Sequence, residues 1–301
     1  MSKRGIIVFV IVVVILTTVS TVYMRVQQDM YYENLERIAV AELNGMIGNA
    51  SGNLISGGNI SVDEVRRIVN DVEDNNIEGL VIRLNSGGGA VATSQEIYNL
   101  IKGLEVPIVV SMKDTVASGG YYIAIAADNI MAQKGTLTGS IGVISTFVNP
   151  EGFYEKLGIE VETITSGEHK DMTQREMTEE ERKKMQRISD DIYNQFIEDI
   201  VAERDLSEED VRELATGELF VGSMAREKGL IDDIGGLECS IDKVSSKANV
   251  EDPIIINLEE DEGLLNIILG LVKNVDFLME GKENIILEYM KDGNEIEFEY
   301  R

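Results

Sequence analysis

The stretch Pro107–Asp128 reads "PIVVSMKDTVASGGYYIAIAAD". "PIVVSM" (Pro107–Met112) is a short apolar run rich in branched residues, which suits a buried strand. Small residues and a glycine pair turn the chain, and "YYIAIAAD" continues as an apolar helix. A strand, a glycine turn and a helix in direct succession form the unit of α/β proteins. Ser118 stands in that turn. A hydroxyl alone is a poor nucleophile, so its meaning depends on whether the chain supplies a base and an oxyanion site.

The same unit recurs on both sides. "RIAVAEL" (Arg37–Leu43) reads as a first strand, and the glycine- and asparagine-rich segment after it as an exposed loop. Ser61 and Glu64 form a capping box ahead of Val65, Ile68, Val69 and Val72, apolar at helical spacing. "GLVIRLN" (Gly79–Asn85) is a compact strand ending in "SGGGA", and Thr93 to Leu100 reads as a helix. "NIMAQ" (Asn129–Gln133) is the next strand, followed by a "TGSIGVI" turn. This alternation predicts an α/β layered domain.

Farther on, Thr178 and Glu181 make a second capping box before a long helix with a stripe of Met185, Ile188, Ile192, Phe196 and Ile200. Ser207 and Asp210 cap a short helix ending near Gly217. After Ala248 the pattern loosens into an acidic extension. Its apolar run Leu264–Val272 is too short to span a bilayer and reads as a packing face or interfacial patch.

Composition narrows the possible functions. The 301 residues carry a net charge of -27, which argues against nucleic-acid binding, since that needs basic patches to neutralise phosphates. The single cysteine, Cys239, excludes an internal disulfide framework. The single histidine, His169, removes most zinc sites and leaves one imidazole for any triad.

Between Gly5 and Met24 no residue is charged, a length sufficient to cross a bilayer core as a helix. Lys3 and Arg4 precede the span and Arg25 follows it, so the positive-inside bias puts the N-terminus in the cytoplasm and the remainder outside. A cleaved signal peptide is the rival reading. The run is longer than a usual signal core and no A-x-A site precedes Arg25, which favours a retained anchor. The expected organisation is a cytoplasmic N-terminus (1–4), an anchor (5–24), a stalk (25–36), an enzymatic domain (37–247) and an acidic extension (248–301).

Two side chains in "SGEHKDM" could act as the base for Ser118. His169 would make a triad, while Lys170 would act as a lysine base if its proton were shed near neutrality. Composition does not rank them. Lys113 is a third choice, though its neighbour Asp114 suits an exposed turn better. The oxyanion site is easier to place. The glycine amides of "NSGGGA" (Asn85–Ala90) lie at a strand end, and Gly119 follows the serine directly.

Taken together, "RLNSGGGAV", "DTVASGGYYIA", "GTLTGSIGVI", "SGEHKDM" and "GELFVGSMAREKGLIDDIGG" resemble the signal peptide peptidase A family. These are membrane-anchored Ser-Lys peptidases with the layered fold of the Clp protease and crotonase superfamily. The resemblance covers about two thirds of the chain, from Arg37 to Lys247. It implies Ser118 as nucleophile, Lys170 as general base and Ser140 as the residue that orients the lysine. It also implies an oxyanion hole made by the amides of Gly88 and Gly119. The family pattern has proline at the position of Gly87, so the choice among Gly87, Gly88 and Gly89 stays open. His169 becomes a bystander.

The resemblance further implies a homo-oligomer enclosing its active sites and hydrophobic peptide substrates such as remnant signal peptides. It implies no metal or other cofactor. Two other classes compete: a crotonase-like acyl-thioester enzyme on the same fold, and a non-catalytic membrane scaffold.

Overall fold

The computed structural model describes residues 20, 36–48 and 59–258. All but Ser20 of the anchor read at 5–24, most of the stalk and the extension's Leu264–Val272 run lie outside the described residues. No helix among the described residues is long and apolar enough to cross a membrane.

Branched apolar residues fill β1 (Arg37–Asn44), β4 (Gly79–Ser86) and the first half of β5 (Ile108–Ala117). That composition belongs to parallel strands covered on both faces. With β6 (Asn129–Ala132), β9 (Asp233–Ile234) and β10 (Ile254–Asn257) they form a sheet in the order β10-β1-β4-β5-β6-β9, with every pairing along it parallel. The alternation along each strand sorts the core into two. Ile38, Val40, Val81, Val109 and Met131 face Val244 on α8 (Leu237–Ala248). Ala39, Ala41, Leu80, Ile82, Leu84 and Val110 face the opposite way, into the larger core.

The larger core is closed by α1 (Val62–Asp74), α2 (Val91–Lys102), α3 (Gly119–Ala124) and the second half of α5 (Glu179–Glu203). Both expected capping boxes are present: Ser61 with Glu64 on α1, and Thr178 with Glu181 on α5. Ser207 and Asp210 cap α6 (Glu208–Leu214) in the same way. Between α3 and α5 lies an extended segment that carries α4 (Glu151–Leu157), which has no buried residue.

Several elements differ from the sequence reading. The segment after β1 is not all exposed loop, because β2 (Met46–Ile47) pairs with β3 (Asn59–Ile60) and Ile47 is buried. Two-residue strands carry no period to detect. The turn expected at "TGSIGVI" begins as a strand, β7 (Leu137–Gly139). The C-terminal part of the described chain adds β8 (Leu219–Val221), α7 (Gly222–Glu227) and β9. It then adds β10, whose pairing with β1 carries the sheet beyond residue 247.

The feature that builds the site is a split in β5. Its first half, Val109–Met112, lies between β4 and β6. Its second half, Thr115–Ala117, pairs instead with β7, which pairs with β8. The register between β4 and β5 slips from Leu84↔Met112 to Ser86↔Val116, and the Asn85 side chain accepts the Thr115 amide at 3.1 Å across the bulge. Bulges re-aim the residues that follow them. Here they aim the glycine run after β4 toward the tip of β5.

Candidate active site

Ser118 occupies that tip. Its amide donates to the Gly139 carbonyl at 2.9 Å, tying it to β7, and its own carbonyl accepts from the Tyr122 amide at 3.0 Å, opening α3. Between these bonds the residue is held at φ 53° and ψ -123°, a backbone conformation that non-glycine residues seldom adopt. Ser140 is held in a similar way, at φ 48°, with its amide donating to the Glu218 carbonyl at 2.7 Å. Strain of this kind persists where the surroundings over-determine it, and such places cluster at functional sites.

Both serines open onto one cavity of about 520 Å³, whose wall includes Gly142, Ile144, Tyr193 and Thr216. On its other side Ser118 borders a narrow slot of about 40 Å³ between Ser94, Gly119, Tyr122, Ile192 and Phe196. Tyr122 is fixed in the slot wall by a hydrogen bond to Asp199 and by edge-on packing with Phe196. Burial, with the Asp199 carboxylate beside it, pushes the Tyr122 phenol well above its ordinary range. The phenol thus keeps its proton and donates it to Asp199.

The glycine run closes in from β4. A Cβ on Gly88, at φ 103°, would stand 2.9 Å from both the Gly119 nitrogen and the Ser118 Cβ. Only glycine lets the two backbones approach so closely. The Gly88 amide donates to Ser86 Oγ at 3.1 Å, so a substrate oxygen would compete with that acceptor. The run is held from outside by Ile47, which donates to the Gly88 carbonyl and accepts from the Ala90 amide, each at 2.9 Å. Sequence reading missed this support because it placed Ile47 in a loop. It also assigned Ile192 and Phe196 to a packing stripe, and both line the slot.

The structure thus brings Ser118, Gly119, Gly88 and Ser140 together. Lys170 is not among the residues lining either cavity at Ser118. It is exposed, on a run of turns over residues 166–175. His169, beside it, contacts Glu181 and Lys184. Lys113, the third candidate base, is engaged by Glu42 at 3.1 Å and Asn44 at 3.2 Å. Cys239 is exposed and unbridged, and no group of acidic, histidine and cysteine side chains among the described residues could hold a metal.

These features can be set beside known proteins. A provisionally named protease of Methanocaldococcus jannaschii is 33% identical over 229 residues, covering 72% of this chain and 74% of that one. An Enterococcus faecium protein provisionally named signal peptide peptidase SppA is 38% identical over 194 residues. That match takes in 63% of this chain but only 56% of the relative, so the chain spans little more than half of it. Among solved structures, a lysine-to-alanine mutant of the 1510-N membrane-bound stomatin-specific protease, in complex with a substrate peptide, superposes with a TM-score of 0.51. It covers 80% of this chain and 99% of its own at 16% identity, a likeness of fold alone. The model of peptidase family S49 matches residues 102–251, which hold the strained serine, β7 and the turns that carry Lys170. With that match and the M. jannaschii relative, this chain belongs to peptidase family S49.

Proposed function

We propose that this chain is a membrane-anchored serine endopeptidase that works by a Ser-Lys dyad. The observation that carries the reading is Ser118, strained at the tip of β5, opening with Ser140 onto one groove and flanked on its other side by Gly119 and Gly88. In this reading the substrate lies extended in the groove. Ser118 Oγ attacks the scissile carbonyl and Lys170 takes its proton, then passes it to the leaving amine. The carbonyl oxygen is received by the Gly119 amide and by the Gly88 amide, which gives up Ser86 Oγ. Water then hydrolyses the acyl-enzyme with Lys170 again as base, and Ser140 orients the lysine.

Lys170 must be brought to Ser118, and the reading assigns that step to assembly into a homo-oligomer. The supporting observation is the segment between β7 and α5, which exposes Ile144, Val148, Phe153, Val161 and Ile164. A segment that exposes this many large apolar side chains is a candidate interaction surface. Packing that segment against a second copy would cover it and move the lysine's turns with it.

The substrates are taken to be hydrophobic peptides, including signal peptides left in the bilayer. The uncharged N-terminal run of the sequence would anchor the peptidase domain beside that supply, on the extracytoplasmic side. The narrow slot beside Ser118, walled in part by Tyr122, Ile192 and Phe196, would take a small side chain of the substrate.

The test is cleavage of an apolar fluorogenic peptide by the full chain in detergent. Ser118→Ala and Lys170→Ala should each lower kcat by at least about 1000-fold with the thermal unfolding midpoint unchanged. Normal turnover by Lys170→Ala would sink the dyad. Normal turnover by Ser118→Ala would remove the serine as nucleophile, and peptide binding without any cleavage by the parent chain would return it to the scaffold class.

A further inference from the structure

The two sequence neighbours of Lys170 are both tied to one buried carboxylate. The Glu181 side chain, at 1% exposure, sits at the start of α5. His169 Nδ1 lies 3.0 Å from Glu181 Oε1. On the other side of the lysine, Asp171 is held by Arg175, whose Nε and Nη2 donate to its two oxygens at 3.0 Å each. The same guanidinium turns its Nη1 and Nη2 to the two oxygens of Glu181, at 2.9 Å each. Glu181 also accepts from the Thr178 amide at 2.9 Å and the Thr178 hydroxyl at 3.0 Å.

The second ring nitrogen of His169 is 2.6 Å from Lys184 Nζ, and Lys184 bonds Glu180 at 2.8 Å. One arrangement of protons satisfies this set. His169 is neutral, donating from Nδ1 to Glu181 and accepting at Nε2 from the lysine ammonium. Lys170, between the two tied residues, is left exposed.

We propose that the Arg175–Glu181 pair, with His169 and Asp171, is a clamp that positions Lys170. The inference rests on the Ser-Lys reading and adds residues to it. Two properties of the clamp suit a lysine base. It fixes the backbone on both sides of residue 170 to the exposed first turns of α5, so the lysine's turns move together with that end of the helix. It also matches the carboxylates of Asp171 and Glu181 with a guanidinium. Left unmatched beside the lysine, those carboxylates would favour its ammonium form. Arg175, Glu181 and Asp171 are thus positioning residues, acting through Lys170.

Arg175 is the residue to change, because its side chain is one-third exposed and is not part of the core. In the full chain, Arg175→Ala should lower kcat about 10- to 100-fold on the fluorogenic peptide, with KM within about twofold. The acid limb of its pH-rate profile should move to higher pH, because Asp171 and Glu181 then lack their cation while Glu168, Glu180 and Lys184 are unchanged. Arg175→Lys should recover part of kcat. Glu181→Gln, which keeps an acceptor for Thr178 but removes a negative charge, should lower kcat as Arg175→Ala does without moving the acid limb to higher pH. In a Lys170→Ala background, Arg175→Ala should add nothing further.

Wild-type kcat and pH profile in Arg175→Ala would overturn the clamp, as would a loss of activity matched by an equal loss of folded protein. Lys170→Ala, assayed alongside, separates the two levels of the argument. If it is inactive while Arg175→Ala is normal, the clamp alone fails. If it is fully active, the dyad fails and the clamp with it.

Discussion

Ser118 illustrates how much a single position can mean. As a letter between small residues it was one serine among many. At φ 53°, tied to β7 on one side and α3 on the other, it is a serine the fold holds in strain. Gly88 is its counterpart, because any Cβ there would press on the Gly119 nitrogen and the Ser118 Cβ at 2.9 Å. Gly88→Ala is therefore expected to displace the amides rather than unfold the domain. In steady-state kinetics kcat should fall by about 100-fold or more, the usual cost of losing an oxyanion donor. The unfolding midpoint should move little. An unchanged kcat would remove Gly88 from the oxyanion site. An oxyanion role for the glycine run was read from "NSGGGA" at a strand end. Which of its glycines lies against Ser118 was not legible there, because it depends on where β5 carries the serine.

At the scale of elements, helix starts were the most legible features. The capping boxes at Ser61, Thr178 and Ser207 all form, since each is a local arrangement of a hydroxyl and a carboxylate three residues apart. The box at Thr178 has a second use, because its Glu181 also receives Arg175 and His169. Arg175 first, and then the Thr178 amide, hold the Glu181 carboxyl far below the usual carboxylate range. The sign follows from linkage. A depressed folded-state value stabilises the turns fully above the unfolded value of about 4.3, and that stabilisation fades as pH falls below it. Hydrogen exchange of the Gly167–Gln174 amides should thus quicken, relative to core strands, as pH drops from about 5 to 3. Equal protection across that range would show that Glu181 does not hold the turns.

The stripe on α5 was read less well. Phe196 and Ile200 are buried, but Ile188 is exposed and Ile192 borders the slot. A helical period shows that a face is apolar without showing what covers it.

At the scale of the whole molecule, the contrast is between the sheet core and the segment from β7 to α5. The first is buried on both faces, while the second presents Phe153 at 63% and Ile164 at 91% exposure. Surface of that kind is costly to leave in water, at roughly 25 cal/mol per Å². If it is the assembly face, Phe153→Asp combined with Ile164→Asp should yield monomers by light scattering in detergent. Peptidase activity should be lost with the assembly, whereas the helix and strand content should stay wild type by circular dichroism. A fully assembled double variant would place the subunit contact elsewhere.

What the sequence determined by itself was local: the buried strands, the capped helices, the glycine run and the serine before a glycine pair. Each depends on neighbours a few residues away, whose spacing is visible in the chain. The tertiary structure alone decided the split of β5, the pairing of Ile47 with the glycine run, the opening of Ser118 and Ser140 onto one cavity, and the close approach of Gly88 to Ser118 and Gly119. It also decided that the turns of Lys170 are fastened to α5 and not to Ser118. The physical reason is the same in each case. These contacts join residues far apart in the chain, so they exist only once the strands have paired and their bulges have set the directions of the loops.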